Sequence, residues 1–149
     1  WVMIKMIFER LKERRKYEGY TQQEVANILN VQRATYAGWE TGKDIMPLRQ
    51  FFKLSNNYQL SLDYLTGLND DESKVVSKTQ FIDLNQVAER MKSFRKEEHL
   101  TQKQIADALQ TTQSNIHKYE TGKCLITTMY ALEFSKHFDY PLDKLLGRK

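Results

Sequence analysis

The sequence predicts an all-α protein built from two tandem units of the same fold. Nineteen of the 59 positions from Glu9 to Gly67 carry the same residue as the position 80 further along the chain, and no gap interrupts the match. Apolar residues recur with helical spacing in both copies, and no useful length alternates apolar and polar residues as a strand would. A repeat of this length indicates duplication of a whole structural unit. We therefore predict five helices in each of two domains, at residues 1–68 and 81–149, joined by a polar linker at residues 69–80.

The composition fits two small domains in a reducing compartment. Each unit is close to the lower size limit at which a chain can fold around its own core. The single cysteine, Cys124, leaves no partner for an intrachain disulfide, so we expect a cytoplasmic protein. The apolar start from Trp1 to Phe8 is too short to span a bilayer and contains Lys5, so we expect no association with a membrane. Since no methionine stands first, we expect the natural start to lie near Met3.

The net charge of +4 is carried by the two units rather than by the linker. Residues 1–68 hold ten basic against seven acidic residues, residues 81–149 hold eleven against nine, and residues 69–80 hold two against three. A basic surface of this kind is compatible with nucleic-acid binding, but an ordinary solvated surface has a similar balance. Charge alone therefore does not assign a function.

Each unit is predicted to begin with an amphipathic helix, followed by a second helix that a threonine caps. One face of the first helix carries apolar residues and an arginine: Ile7, Phe8, Leu11 and Arg15 in unit 1, and Val87, Ala88, Met91, Phe94 and Arg95 in unit 2. Thr21 and Thr101 are followed three residues later by Glu24 and Gln104, which is the spacing of a capping box. We therefore expect the second helix of each unit to begin at these threonines.

The third helix follows a short break and completes a helix-turn-helix in each unit. Gly42 and Gly122 are expected to end it. The remaining apolar residues predict the third, fourth and fifth helices: Tyr36, Trp39, Leu48, Phe51, Leu54, Tyr58, Leu62 and Leu65 in unit 1, and Ile116, Tyr119, Ala131, Phe134, Phe138, Leu142 and Leu145 in unit 2. Phe52, Tyr64, Met129, Tyr130 and Leu132 lie at positions that this pattern leaves partly exposed.

Both units resemble the five-helix DNA-binding domain of the Cro and CI repressors of lambdoid phages, that is, the lambda-repressor-like or XRE family. The resemblance rests on an ordered set found twice: Thr21–Ala26, Leu29, Tyr36, Trp39–Glu40, Gly42–Lys43 and Leu62–Leu65, and then Thr101–Gln102, Ala106, Leu109, Lys118–Glu120, Gly122–Lys123 and Leu142–Gly147. It covers nearly the whole chain except the linker. It implies a sequence-specific transcriptional regulator that binds double-stranded DNA, with repression as the expected mode.

The resemblance also implies roles for individual residues. In this family the third helix enters the major groove, while the start of the second helix and the loop after the third contact phosphates. By position, the base-reading residues would be Arg33, Ala34, Ala37 and Gly38 in unit 1, and Gln113, Ser114, His117 and Lys118 in unit 2. The phosphate contacts would come from Gln22, Lys43, Gln102 and Lys123. Structural ion pairs between the first and third helices would join Arg15 to Glu40 and Arg95 to Glu120.

The two reading surfaces are expected to be unequal. Arg33 can donate two hydrogen bonds to guanine, whereas Gln113 at the matching position suits the donor and acceptor of adenine. The turn before the third helix, where the family usually has glycine, holds Asn30 and Gln110. Glutamine tolerates positive φ less readily than asparagine, so we expect some strain or a slightly different turn in unit 2.

Other functions find less support in the sequence. The three histidines and Cys124 lack the spacing of metal ligands on one helical face, so we expect neither a metal nor another cofactor. No glycine-rich phosphate loop or nucleophile elbow is present, and we expect no enzymatic activity. The main alternative is a protein-interaction module, such as an antitoxin or antirepressor-like component, in which domain 1 mediates dimerisation or partner binding. DNA binding by unit 1 and formation of a homodimer stay open.

Overall fold

The computed structural model describes residues 2–75 and 79–148, and it includes the side chains of these residues except 2–4 and 6. Trp1, residues 76–78 of the predicted linker and Lys149 lie outside the described residues. The chain divides into two compact units, Trp1–Gln80 and Phe81–Lys149. Within the described residues there are ten helices and no strand, which confirms the all-α prediction.

The described residues of each unit form five helices, in the predicted order. Unit 1 consists of α1 (Val2–Tyr17), α2 (Gln22–Ile28), α3 (Arg33–Thr41), α4 (Leu48–Tyr58) and α5 (Leu62–Leu65). Unit 2 consists of α6 (Leu84–Glu97), α7 (Gln102–Leu109), α8 (Gln113–Glu120), α9 (Thr128–Phe138) and α10 (Leu142–Leu145). The helix-turn-helix is formed by α2 and α3 in unit 1, and by α7 and α8 in unit 2, and the two helices of each pair pack against each other.

The start of the second helix is set by a reciprocal cap in both units. The Thr21 hydroxyl accepts a hydrogen bond from Glu24 N at 3.1 Å, and the Glu24 carboxylate accepts one from Thr21 N at 3.1 Å. Thr101 and Gln104 repeat the arrangement at 3.1 and 2.8 Å. The predicted capping boxes are thus confirmed, because each satisfies two backbone N–H groups that the helix leaves unpaired.

Positive backbone φ angles repeat at the same displacement as the sequence. Among the residues that the structure describes, each unit has five such positions, and the pairs are Gly19 and His99, Asn30 and Gln110, Gly42 and Gly122, Gln59 and Asp139, and Gly67 and Gly147. The φ angle is 56° at both Asn30 and Gln110, and the next residue of each unit donates to the matching carbonyl at 2.9 Å. The expectation of a different turn in unit 2 is therefore wrong. Gln110 therefore adopts the left-handed region within the same local hydrogen-bonded turn, at a cost of about 1 to 2 kcal/mol.

The cores are built from the predicted apolar faces, with two corrections. Phe52 is 2 % exposed and Leu132 is fully buried, so neither contributes to a partly exposed surface. In α4 and α9 the buried face includes more residues than the helical spacing of apolar residues predicts. Each of these helices packs against other helices of its unit. Tyr64, Met129 and Tyr130 are half-buried, as expected.

The segment after α5 stays attached to unit 1. Arg10 of α1 donates to the carbonyl oxygens of Tyr64 and Asn69, and its guanidinium forms an ion pair with Asp70. The same guanidinium lies 4.4 Å from the centre of the Tyr64 ring. Three further hydrogen bonds tie the segment to the unit: Tyr64 Oη to Glu72 Oε1 at 2.7 Å, Val75 N to Gln59 O at 2.8 Å, and Asn56 Nδ2 to Thr79 O at 3.2 Å. Much of the predicted linker is therefore bonded to unit 1 rather than free.

Candidate nucleic-acid interface

The outer face of α8 carries all four predicted base-reading residues of unit 2. Gln113, Ser114, His117 and Lys118 are exposed. They lie at spacings of one and four residues, which places them on one side of the helix. Ile116 and Tyr119, on the opposite side, are buried. The helix therefore presents a continuous polar surface of amide, hydroxyl, imidazole and ammonium groups.

Local sequence fixes where α8 begins. Thr112 is the N-cap, and its hydroxyl accepts a hydrogen bond from Asn115 N at 3.2 Å. Gln113 is consequently the first residue of the helix, beside the turn that follows α7. Asn115 Nδ2 also donates to the hydroxyl of Thr111 at 2.8 Å, which strengthens this turn. Because the cap fixes the backbone of the first turn, it also fixes the position from which the Gln113 side chain extends, as base recognition requires.

The equivalent face of α3 is smaller. Arg33 and Ala34 are exposed, Ala37 is half-buried and Gly38 is buried. Asp44, in the loop after α3, donates its backbone N–H to Gly38 O at 3.2 Å. A Cβ atom added at Gly38 would lie 3.3 Å from Asp44 Oδ2. The Asp44 carboxylate therefore lies beside the outer side of Gly38, and base reading by Gly38 stays a prediction.

Arg33 is held by the residue that begins α2. Its Nη1 donates to Gln22 Oε1 at 3.3 Å, and Gln22 Nε2 donates to Glu40 Oε1 at 3.4 Å. In unit 2, Gln102 Nε2 donates to Glu120 Oε1 at the same distance of 3.4 Å. The first residue of each second helix is thus connected to the end of the third helix, close to the loop that carries Lys43 or Lys123.

The four predicted phosphate contacts occupy suitable positions. Lys43 and Lys123 are exposed in the loops after α3 and α8. Gln22 and Gln102 are the first residues of α2 and α7 and are half-buried. Unpaired N–H groups at a helix start and a nearby ammonium group attract the same anion. In each unit the predicted contacts thus come from the start of the second helix and from the loop after the third helix.

A buried ion pair supports the third helix of each unit, α3 or α8, which we call the reading helix. Arg15 Nε donates to Glu40 Oε2 at 2.7 Å, and Arg95 Nε donates to Glu120 Oε2 at 2.8 Å. The Glu40 side chain is 2 % exposed and the Glu120 side chain is 3 % exposed. Burial alone would raise the pKa of Glu40, but the hydrogen bonds and positive charge of Arg15, together with hydrogen bonds from neighbouring polar side chains, outweigh burial and lower that pKa from its usual value of 4.5. The Glu40 carboxylate in turn raises the pKa of Arg15.

Two buried tyrosines stand beside this pair in unit 1. Burial, with a further contribution from the Glu40 carboxylate, raises the pKa of Tyr36 far above its usual value of 10.0. Burial also raises the pKa of Tyr58. Both phenols are therefore neutral at physiological pH, and their side chains are part of the buried core.

Sequence reasoning overlooked Asp44. It is exposed, directly follows Lys43, and contacts the outer side of α3. The matching residue of unit 2 is Cys124, which is exposed and uncharged in its thiol form. The difference in charge at matched positions is visible in the sequence, but the contact with Gly38 depends on how the loop folds.

The described part of the chain contains no group of histidine, cysteine and acidic residues that could hold a metal ion. Among the described helices, none is both long and apolar enough to cross a membrane.

Comparison with known proteins identifies both units. A helix-turn-helix family model matches residues 11–65, and a helix-turn-helix domain model matches residues 88–149. The SPbeta prophage-derived uncharacterized HTH-type transcriptional regulator YonR of Bacillus subtilis is 33 % identical over 104 residues, which are 62 % of this chain and 96 % of YonR.

Two further relatives from Bacillus subtilis match shorter stretches. The uncharacterized HTH-type transcriptional regulator YobD is 30 % identical over 73 residues, and the HTH-type transcriptional regulator ImmR is 36 % identical over 75 residues. These matches cover 49 % and 48 % of this chain, and 65 % and 59 % of the two relatives. No solved structure matches the chain at a significant level. The matched regions coincide with the two five-helix units, and the chain therefore belongs to the XRE-type helix-turn-helix transcriptional regulators, with two such domains in tandem.

Proposed function

We propose that this protein is a sequence-specific regulator of transcription that binds double-stranded DNA in the cytoplasm and represses the genes it binds. In this proposal α8 enters the major groove, and α3 enters a second groove segment where unit 1 also binds. The names of the relatives, all HTH-type transcriptional regulators, support a regulatory role. Binding requires no catalytic step and no cofactor.

The observation that carries the proposal is the exposed face of α8. Gln113 and Ser114 begin the helix, while His117 and Lys118 lie one turn further on the same side. Lys123 follows in the loop, and the start of α7 at Gln102 lies beside the end of α8. Donors suited to bases are thus bordered by donors suited to phosphates, as major-groove recognition requires.

The two reading helices would recognise different bases. The Gln113 amide pairs best with adenine and the Arg33 guanidinium with guanine, each providing about 1 to 3 kcal/mol of discrimination. Arg33 is held by Gln22, which favours a defined approach. One chain would therefore recognise an asymmetric site.

Joining the two domains raises the effective concentration of the second domain once the first has bound. Twelve free residues would average about 20 Å from end to end. The hydrogen bonds of Val75 and Thr79 to unit 1 shorten the free part of the linker. We therefore expect a narrow range of tolerated spacings between the two half-sites.

Selection from random DNA with the full chain, followed by gel-shift assays at moderate salt, tests the proposal. We expect one enriched sequence, and loss of tight binding when Gln113 and Lys118 are both replaced by alanine. Lys136→Ala is the matched control, because Lys136 is an exposed residue of α9 and its replacement also removes one positive charge. This variant should bind as the wild type does. No enriched sequence, or equal binding by the double variant and the control, would contradict DNA recognition through α8.

Repression is tested separately with a reporter gene placed behind the selected site. Expression of the protein should lower transcription, and the Gln113→Ala, Lys118→Ala variant should not. A rise in transcription would instead identify an activator.

A second candidate function is suggested by unit 1. Because Asp44 covers Gly38, the exposed face of α3 offers few base-reading groups, and unit 1 could bind a protein partner or a second copy instead. Because Phe52 is buried, it would add no apolar surface to such an interface. Analytical ultracentrifugation at several concentrations checks it, since a strict monomer would argue against homodimerisation.

A further inference from the structure

The two reading helices differ most in charge at one matched place. Gly38 of α3 corresponds to Lys118 of α8, and Asp44 of the following loop corresponds to Cys124. Unit 2 therefore has an ammonium group on the helix and an uncharged residue in the loop. Unit 1 has no side chain on the helix and a carboxylate in the loop.

The structure brings the Asp44 carboxylate into the space that the missing side chain leaves. Asp44 Oδ2 would be 3.3 Å from a Cβ atom at Gly38, and Gly38 is buried. The carboxylate therefore lies against the helix at the position from which unit 2 extends Lys118. At that place unit 1 carries a negative charge and unit 2 a positive one.

The loop backbone explains why Asp44 is in contact with the helix. α3 extends to Thr41, whereas α8 ends at Glu120, one matched position earlier. Asp44 N consequently donates a hydrogen bond to the Gly38 carbonyl at 3.2 Å. In unit 2 the matching carbonyl, that of Lys118, accepts from Lys123 N at 3.0 Å, one position earlier in the loop. In unit 1 the loop closes one residue later and draws the carboxylate to the helix.

Nothing in the described part of the chain neutralises this carboxylate. Asp44 is exposed and has no ion pair with a described residue. Phosphates approaching Lys43 would meet it immediately beside the lysine. A like charge close to a phosphate weakens the attraction on which all DNA binding depends, and the effect is strongest at low salt.

We propose that the Asp44 carboxylate weakens the attraction between unit 1 and DNA, and so keeps unit 1 the weaker DNA-binding domain. This inference rests on the proposed function, because it assumes that the helix-turn-helix units bind DNA. It assigns Asp44 an electrostatic role rather than a contact with a base. The tandem repeat would then contain one strong and one weakened DNA-binding domain.

Reciprocal changes in the full chain test this proposal. Asp44→Asn removes the charge with little change of shape, and the backbone N–H to Gly38 is kept. Cys124→Asp places a carboxylate at the matching position of unit 2. Asp44→Asn and Asp139→Asn are made in the full chain that also carries Gln113→Ala and Lys118→Ala, so that the stronger unit 2 does not mask a change in unit 1. Binding to a short duplex of random sequence is measured by fluorescence anisotropy over a series of salt concentrations, and circular dichroism verifies that each variant is folded.

Two matched controls separate the local effect from net charge and from loss of the thiol. Asp139→Asn removes one negative charge at the C-terminal end of α9, about 16 Å along the helix from the loop after α8, and asparagine tolerates the positive φ there. Cys124→Ser removes the thiol without adding charge.

We expect Asp44→Asn to bind about fivefold more tightly than Asp139→Asn at low salt, and Cys124→Asp to bind about fivefold more weakly than Cys124→Ser. Both differences should shrink as salt is added. Equal affinities of Asp44→Asn and Asp139→Asn, with wild-type binding intact, would overturn the role of Asp44 alone. Absence of binding by the wild type and by every variant at low salt would overturn the proposed function as well.

Discussion

Arg15 of α1 and Glu40 of α3 are joined by two hydrogen bonds, from Nε to Oε2 at 2.7 Å and from Nη2 to Oε1 at 3.1 Å. Arg15 Nη1 also donates to Tyr20 O at 2.9 Å, immediately before α2. In unit 2, Arg95 donates to Glu120 and to Leu100 O, 80 residues later. Each arginine therefore connects the first helix, the turn before the second helix and the third helix.

The first prediction concerns the stability that depends on this pair. Replacing Glu40 by leucine leaves the Arg15 guanidinium largely buried without its carboxylate, and we expect a loss of about 3 to 5 kcal/mol. The double change Arg15→Met, Glu40→Leu removes both charges and should cost less than the single change. Urea unfolding followed by tryptophan fluorescence measures this in unit 1, because Trp1 and Trp39 are the two tryptophans of the sequence. A double variant less stable than Glu40→Leu would argue against a charge-pair explanation.

The second prediction concerns acid. Because the Arg15 hydrogen bonds hold the pKa of Glu40 below its usual value of 4.5 in the folded state, the ionised carboxylate stabilises unit 1 above that value. This contribution is lost as pH falls through the lowered pKa. The free energy of unfolding of the wild type, measured with urea, should therefore fall more steeply below about pH 4.5 than that of Glu40→Gln. Parallel pH profiles of the two proteins would mean that Glu40 does not provide this dependence.

The third prediction compares two glycines at matched positions. Gly42 has a φ of +85° and an added Cβ would lie 2.4 Å from Phe8 Cε2, whereas at Gly122 it would lie 2.9 Å from Asn85 Oδ1. Both alanine variants lose about 1 kcal/mol to the positive φ. At Gly42 the added Cβ overlaps three atoms of the Phe8 ring, whereas at Gly122 it meets the end of the exposed Asn85 side chain. Gly42→Ala should therefore lose a further 1 to 3 kcal/mol, roughly the cost of overpacking. Denaturation by urea, followed by fluorescence for unit 1 and by circular dichroism for the whole chain, measures both; equal losses would contradict the Phe8 contact.

The fourth prediction separates base readout from phosphate contact. Gln113→Ala should relax the base preference at one position of the selected site, by about 1 to 3 kcal/mol. Lys123→Ala should weaken binding evenly across sequences and lower the salt slope by about 0.9. Competition with single-base variants of the site, repeated at several salt concentrations, distinguishes the two. If Lys123→Ala altered the base preference and Gln113→Ala altered only the salt slope, the assigned roles would be reversed.

The sequence predicted best those features that depend on neighbouring residues. The capping boxes at Thr21 and Thr101 need partners three residues away, and both are present. Because the sequence repeats, the order of helices predicted for one unit also applied to the other. Features that depend on distant contacts were harder to predict. Burial of Phe52 and Leu132 depends on which elements surround α4 and α9, and hydropathy along one helix does not contain that information.

At the candidate interface, helix position could be predicted but loop closure could not. Gln113 and Lys118 are exposed where the family resemblance places them. Gly38 occupies a matching position, yet its surface is covered because the loop returns to the helix through Asp44. A difference of one residue in the end of the helix produces this contact, and the spacing of apolar residues does not determine such small shifts.

The hydrogen bonds of the segment after α5 bear on how the two halves of the chain can be separated for experiments. A fragment cut after residue 68 would lose Asn69 and Asp70, with which Arg10 interacts, and the Val75 N–H that Gln59 O accepts. A fragment extending to Gln80 keeps these contacts and follows the boundary between the two compact units. Comparing the two fragments by limited proteolysis would reveal whether residues 69–80 behave as part of the first domain. If they do, this stretch belongs to the first folding unit, and the first domain extends beyond the end of its fifth helix.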